Sequence, residues 1–207
     1  MRQIDFHGGG LLVDADWINV WSKRYPNKKY SENIYLQLIG KCGRLTRDDF
    51  LLIGAWKDGG ITDERFNGKW KQNTSAAYEI WMLAANKEPP LCCPQNISAF
   101  LAEWSEKRYH WQCWSGIRTP RFGLSRATAL LHFLTSAKYP IFDSRARMAM
   151  SDLAKQSLLD DIQSYWKYCD LFQRLRGVAD SSPRVLDKAL FAYGRHLSSK
   201  RKRRNRE

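Results

Sequence analysis

Hydrophobic residues recur every three or four positions along most of the chain, whereas the strict alternation typical of strands is almost absent. This periodicity predicts an all-α fold made of helical bundles. The predicted helices cover residues 31–39, 46–59, 74–88, 97–107, 125–137, 144–154, 161–175 and 182–197.

Residues at the ends of these helices support the periodicity. Thr46 and Asp49 form a capping-box pattern just before an apolar run, and Gly59 and Gly60 stop the same helix. Pro183 stands in the first turn of the last helix, where the missing N–H group carries no penalty.

The length and composition predict a folded protein. The 207 residues are 43% hydrophobic and 13% aromatic, which is enough for one domain or two closely merged lobes. We assign no role to residues 1–30, expect a single all-α domain over 31–199, and expect a disordered basic tail over 200–207. The tail carries six basic residues and one acid, and such runs are typical of solvated, nonspecific phosphate contacts.

The net charge of +13 favours a polyanionic partner, because each neutralised phosphate releases condensed counterions. Nucleic acid is the first interpretation and an anionic membrane surface the second. No apolar run reaches the ~20 residues of a bilayer span, and the N-terminus lacks a signal-peptide pattern. We therefore expect a soluble, intracellular protein.

The five cysteines do not predict a disulfide framework, because their number is odd and their spacing irregular. His110 and Cys113 lie three residues apart, and Cys92 and Cys93 precede them, but adjacent cysteines chelate one ion poorly. The expected metal content is none, and the cysteines are interpreted as buried thiols.

A turn between two predicted helices combines a glycine with arginines. Pro120 discourages a continuous helix, and Gly123 permits a tight turn over residues 119–129. The N–H groups of the following helix are flanked by basic side chains, an arrangement that suits phosphate. These candidates for DNA binding are Arg118, Arg121, Gly123, Ser125 and Arg126. An ordinary turn between core helices is the alternative.

The second feature is the strip over residues 139–150, in which Pro140-Ile141-Phe142 leads to Asp143 at the start of a helix. Aspartate is a favoured N-cap, so a purely structural role is one interpretation. Arg145 and Arg147 lie within a turn of the carboxylate and are candidates for contacts with flanking phosphates, or are simply exposed helix arginines.

The order of hairpin, apolar helix and proline-led strip ending in aspartate resembles the helix-hairpin-helix DNA glycosylase superfamily. The resemblance covers about residues 119–150, through the segment from Gly123 to Ala129 and the strip Pro140–Asp143. It implies an all-α fold with a helix-hairpin-helix DNA-binding element, and Asp143 as the catalytic carboxylate. Ser125 stands where the usual pattern has a second glycine, and the spacing from hairpin to aspartate is slightly short.

The resemblance also implies the type of reaction. Ala127 stands where base-excising lyases of this superfamily carry a nucleophilic lysine, so a monofunctional glycosylase is implied. No C-terminal cysteine cluster of the iron–sulfur type is present, which implies hydrolysis without a cofactor.

Such an enzyme needs a pocket and a wedge for the flipped base, and aromatic side chains suit both. The candidates are His110, Trp111, Trp114, Phe122 and Tyr139. Most aromatic residues in helices belong to the core, which is the alternative for each of them.

The resemblance leaves the substrate open. The small helical build and basic charge are similar to those of bacterial anti-phage glycosylases that remove glucosylated 5-hydroxymethylcytosine. Repair of alkylated, deaminated or oxidised bases is the nearest alternative. The implied partner is double-stranded DNA with modified bases, in the bacterial cytoplasm or nucleoid, without a membrane or an obligate protein partner. Two alternatives from other functional classes are a noncatalytic DNA-binding module and, ranked last, a helical nuclease or toxin. Metal-dependent nucleases need clustered acids, which are not apparent near Asp143.

Overall fold

The computed structural model describes residues 13–27, 31–41, 45–59, 94–106, 111–113, 116–118, 121–179 and 181–204. Within these ranges the chain forms eight helices and one pair of short antiparallel strands. The elements are α1 (Ala15–Ser22), α2 (Glu32–Ile39), α3 (Arg47–Gly59), α4 (Pro94–Glu106), β1 (Trp111–Cys113), β2 (Gly116–Arg118), α5 (Leu124–Leu134), α6 (Ser144–Leu153), α7 (Ile162–Ala179) and α8 (Pro183–Arg204). The predicted all-α class is confirmed.

Local capping explains why several helices begin where the sequence predicts. The Ser31 hydroxyl accepts a hydrogen bond from the Ile34 N–H at the start of α2. At the start of α3, the Asp49 carboxylate accepts from the Thr46 N–H at 2.8 Å, and the Asp49 N–H donates back to the Thr46 hydroxyl at 3.4 Å. This is the reciprocal capping box that the sequence predicts. The helix predicted over residues 74–88 lies outside the described residues.

Three elements differ from the predictions. Helix α1 was not predicted, although Asp14 caps it by accepting from the Trp17 N–H at 2.8 Å. Strands β1 and β2 pair antiparallel, with Trp111 opposite Arg118, in a segment for which the sequence predicts no strand. Helix α8 continues to Arg204, so the tail predicted as disordered is helical over residues 200–204.

The chain divides into two units that differ from the predicted domain boundaries. The first unit joins Met1–Tyr25 to Pro140–Glu207 and contains α1, α6, α7 and α8. The second unit, Pro26–Tyr139, contains α2 to α5 and the strand pair. The N-terminal segment, to which the sequence assigned no role, therefore contributes to the first unit together with the C-terminal helices.

In the second unit, α5 forms the centre of the core. Its residues Ala129 to Leu131 are fully buried, and the rings of Tyr35 and Trp56 pack on Phe133 at 5.5 Å each. His132 is buried beside them, and its Nδ1–H donates to the Tyr139 carbonyl at 2.8 Å, since a carbonyl can only accept. Its Nε2 lies 2.9 Å from the Tyr35 hydroxyl, from which a neutral imidazole accepts a hydrogen bond at this nitrogen.

In the first unit, α8 packs against both α1 and α6. Trp17 and Trp21 of α1 contact the ring of Tyr193, with centroids 5.2 and 4.9 Å away. The buried face of α6 consists of Ala146, Ala149, Met150 and Leu153. Within the described ranges, no helix is both long enough and apolar enough to cross a bilayer.

Candidate active site

The strip before α6 is buried up to the residue that precedes the carboxylate. Ile141 and Phe142 are 2% and 1% exposed, whereas Asp143 is partly exposed. The change from buried to partly exposed residues occurs within one position, from Phe142 to Asp143. The strip thus places a single carboxylate at the edge of the first unit.

Aromatic residues of α7 hold this strip in place. The Tyr165 hydroxyl donates to the Pro140 carbonyl at 3.3 Å. The Phe142 ring packs against Tyr165 and Tyr168 with centroid distances of 5.6 and 5.1 Å. Because such rings pack in restricted geometries, they limit rotation of the backbone that leads to Asp143.

Asp143 is the N-cap of α6. Its backbone is extended, with φ −91° and ψ 165°, and its Oδ1 accepts from the N–H groups of Arg145 and Ala146 at 2.8 Å each. The predicted capping role is confirmed. Both bonds use the same oxygen, so Oδ2 takes part in neither, and the helix macrodipole favours negative charge at this position.

A close approach of two helices fixes the start of α6. A Cβ atom added to Gly194 of α8 would lie 1.9 Å from the Arg145 carbonyl oxygen and 2.6 Å from its carbon. Only glycine permits this contact, because real Cβ atoms essentially never come within 3.0 Å of other heavy atoms. Gly194 thereby positions the first turn of α6, which carries the capping N–H groups.

The two arginines proposed to contact phosphates lie on this first turn. The Arg147 guanidinium is 3.0 Å from an Asp160 carboxylate oxygen and 5.7 Å from the centre of the Phe142 ring. The Asp160 side chain is 65% exposed, so this surface ion pair contributes little stability and can exchange for a phosphate contact. The Arg145 residue is partly exposed.

Sequence reasoning missed Tyr168, which lies behind the carboxylate. Its side chain is fully buried, and its hydroxyl has no hydrogen-bond partner among the described residues. Burial, reinforced by the carboxylates of Asp187 and Asp143, raises the pKa of this hydroxyl well above its ordinary value. Asp187 is buried too, in an ion pair with Arg184 at 2.8 Å. No local pattern identifies such a residue, because its neighbours come from other segments.

Gly123, the glycine of the segment predicted to form a hairpin, lies in the second unit. Gly123 has φ +78°, a region that glycine favours, and its N–H donates to the Ser105 carbonyl at 3.0 Å. It also precedes α5 as the N-cap, without a capping side chain. Ser125 follows in the first turn and its carbonyl accepts from the Thr128 hydroxyl at 3.2 Å.

The arginines of this segment make contacts within the second unit. Arg121 forms a surface ion pair with Glu106 at 3.0 Å, and Arg126 donates to the Phe122 carbonyl at 3.0 Å. Only the backbone of Arg118, in β2, is described. Ala127 is fully buried, so a lysine there would have to enter the core of α5.

Of the candidate base-pocket residues, only Phe122 and Tyr139 have side chains that the structure describes. Phe122 is 1% exposed and packs edge-on against Trp104 at 5.7 Å, which is a core position. Tyr139 is partly exposed, with the Lys138 ammonium 5.5 Å from its ring centre. Trp111 is described only as backbone in β1, while His110 and Trp114 lie outside the described residues.

Within the described ranges, no group of three histidine, cysteine or acidic side chains could hold a metal ion. Cys169 is a buried thiol on α7, and burial raises its pKa to about 12 despite a hydrogen bond with Tyr165. A thiol with this pKa is hardly ionised at neutral pH and does not suit nucleophilic catalysis.

Comparisons with known proteins do not assign the chain to a family. No protein-family model matches the chain, and no curated protein or solved structure matches it.

Proposed function

We propose that this protein is a monofunctional DNA glycosylase of the helix-hairpin-helix type, with Asp143 as its catalytic carboxylate. The observation that carries the proposal is the single partly exposed carboxylate, held by two N–H groups on one oxygen at the end of a buried strip. The left-handed backbone at Gly123, which the predicted hairpin would need, and the net charge of +13 support DNA as the substrate.

In the proposed reaction, the bond between C1′ of the deoxyribose and the base nitrogen breaks, and the base leaves with the electron pair. Positive charge develops on the sugar, and the Asp143 carboxylate stabilises it electrostatically. Water then attacks C1′ and transfers a proton to the carboxylate, which leaves an abasic site. The cap suits this chemistry, because the two bonds at Oδ1 hold the side chain still.

The substrate that we propose is a modified base in double-stranded DNA. Bulky hypermodified bases of phage DNA, such as glucosylated 5-hydroxymethylcytosine, are the first candidates, and alkylated, deaminated or oxidised bases are the second. Ala127 excludes the usual lyase lysine at that position, so base release is expected to leave the strand intact until alkali is added.

The test incubates the purified protein with a panel of duplexes, each containing one modified base, and with phage DNA that contains glucosylated 5-hydroxymethylcytosine. Abasic sites are revealed by mild alkali. The matched variant is Asp143→Asn, because the asparagine oxygen can accept the same two N–H groups while the negative charge is lost. We expect base release by the native chain and a loss of at least about a hundredfold in the variant.

A noncatalytic DNA-binding protein is the second candidate, and the cap geometry itself favours it. Two N–H bonds to Asp143 are a sufficient structural reason for an aspartate at this position. This candidate predicts no base release on any member of the panel, and equal DNA affinity for the native chain and for Asp143→Asn. The same two proteins and the same substrates therefore separate the candidates.

A further inference from the structure

An open cleft of about 500 Å³ lies beside the candidate carboxylate in the first unit. It begins at Ser144, the residue next to Asp143, and follows α6 and the loop after it towards the C-terminal end of α8. Its volume is in the range of ligand-binding clefts, which is about 300–1,000 Å³. The polar and charged groups that matter here are Ser144, Arg147, Ser151, Asp152, Lys155 and Arg201.

The charge of the cleft is predominantly positive, with three cationic side chains and one carboxylate in its lining. That carboxylate, Asp152, is already engaged, since it accepts from the Tyr193 hydroxyl at 2.8 Å and lies 3.6 Å from the Lys155 ammonium. Within the described residues, no ion pair involves Arg201, whose side chain is exposed on the last turns of α8. Arg147 pairs at the surface with Asp160, which lies outside the lining of the cleft and is 65% exposed, so Arg201 is the cation of the cleft that no ion pair within the described residues neutralises.

Three separate segments supply these cations, so the cluster is not a property of one helix. Arg147 belongs to α6, Arg201 to α8, and Lys155 to the loop between α6 and α7, where its backbone has φ +48°. The left-handed conformation of Lys155 turns the chain after α6. The Ser151 hydroxyl stabilises the same turn by accepting from the Leu158 N–H at 3.1 Å.

We propose that this cleft binds the phosphodiester backbone of the DNA strand next to the nucleotide that reaches Asp143. Cationic side chains and serine hydroxyls are the groups that contact phosphates in protein–DNA interfaces. The choice of DNA as the polyanion rests on the proposed function. The location of the binding site rests on the charge and the position of the cleft. It assigns the basic end of α8 to DNA binding as an ordered element, in contrast to the solvated tail that the sequence predicts.

The test measures the affinity for a 20-base-pair duplex as a function of salt, by fluorescence anisotropy. The cleft variant is Lys155→Gln with Arg201→Gln, two exposed positions where the change leaves the core intact. The matched control is Lys167→Gln with Arg195→Gln, which removes the same charge from exposed positions of α7 and α8 outside the cleft. Thermal unfolding of each variant verifies that the fold is unchanged.

Loss of two phosphate contacts lowers the magnitude of the slope of log K against log salt concentration by about 1.8, where K is the association constant for DNA. This change corresponds to about 30-fold weaker binding at 0.15 M salt. The control should retain the native slope and lose about threefold or less, because exposed charges outside the contact are screened. A third variant, Asp152→Asn, removes the acid but keeps an oxygen for the Tyr193 hydroxyl, and it should bind DNA more tightly.

Equal slopes for the cleft variant and the control would overturn the inference. Weaker binding of the cleft variant to vesicles containing phosphatidylserine, without a change in DNA binding, would overturn it as well. The outcome is independent of catalysis: a lowered slope without base release supports the cleft and contradicts the glycosylase, and base release with an unchanged slope does the reverse.

Discussion

Gly194 gives the sharpest structural prediction, because a single methyl group there collides with backbone. In Gly194→Ala the new Cβ would lie 1.9 Å from the Arg145 carbonyl oxygen, whereas ordinary contact begins at 3.4 Å. The obstacle is a carbonyl group in the first turn of α6, which cannot rotate away as a side chain can. Helices α6 and α8 must therefore move apart by about 1–1.5 Å at this point.

The expected cost follows from two opposing effects. Overpacking of a core contact costs about 1–3 kcal/mol, and a clash with backbone belongs at the upper end of that range. Alanine is the better helix former by about 0.5–1 kcal/mol, which offsets part of the cost. We therefore expect a net loss of about 2 kcal/mol, or a midpoint about 4–8 °C lower for a chain of this size.

Gly177→Ala is the matched control. Gly177 lies within α7, is exposed, and has no heavy atom within 4 Å of the position that an added methyl group would take. Here only the helix propensity changes, so we expect a gain of about 0.5–1 kcal/mol. Thermal and urea unfolding, followed by circular dichroism, measure both variants. If Gly194→Ala were as stable as the native chain, or if both variants shifted in the same direction, the proposed close approach of α6 and α8 would be refuted.

Three further changes test individual contacts through the free energy of unfolding, measured by urea denaturation. Tyr168→Phe removes a buried hydroxyl that lacks a partner among the described residues and should stabilise the fold by about 1 kcal/mol. Tyr165→Phe removes the hydroxyl bonded to the Pro140 carbonyl and should destabilise the fold by about 1 kcal/mol. A change of the same sign in both variants would contradict this. Burial alone would raise the pKa of Asp49, but hydrogen bonds from Lys41 and Thr46 outweigh burial and lower the pKa, so the charged carboxylate stabilises the fold above its unfolded pKa. The stability lost in Asp49→Asn should therefore be largest near neutral pH and shrink as the pH falls through the folded pKa, below about 4. A loss of stability that is constant with pH would refute this. Asp143→Ala should cost about 1 kcal/mol and Asp143→Asn only a few tenths, and equal losses would show that the cap is not what Asp143 supplies.

Features that depend on neighbouring residues could be predicted from the sequence. The capping box of Thr46 and Asp49 and the N-cap at Asp143 each involve residues within three positions, and both are present. The same signal was available for α1, where Asp14 precedes an amphipathic turn. The strand pair had only a weak local signal, in the strand-forming residues Trp111 and Ile117.

Features that depend on distant segments could not be predicted. Gly194 is essential only because α6 crosses it. The Tyr168 hydroxyl has no hydrogen-bond partner among the described residues only because of how the first unit packs. The basic tail shows a different error. Its repeated cations predict repulsion, but Lys and Arg are good helix formers and cations near a helix C-terminus are favoured by the macrodipole, so α8 extends to Arg204.

The capping and catalytic interpretations of Asp143 make the same structural demand. A cap needs an oxygen fixed at the first turn of α6, and a catalytic carboxylate needs a fixed position against the sugar. The bonds at Oδ1, the buried strip and the contact at Gly194 all serve to hold this one side chain. The two roles therefore share one geometry and differ in whether they need the negative charge of the carboxylate. Asparagine keeps the oxygen that the cap uses and removes the charge that the oxocarbenium-like transition state needs. Base release by Asp143→Asn, measured relative to its DNA affinity, is thus the quantity that distinguishes an enzyme from a binding protein.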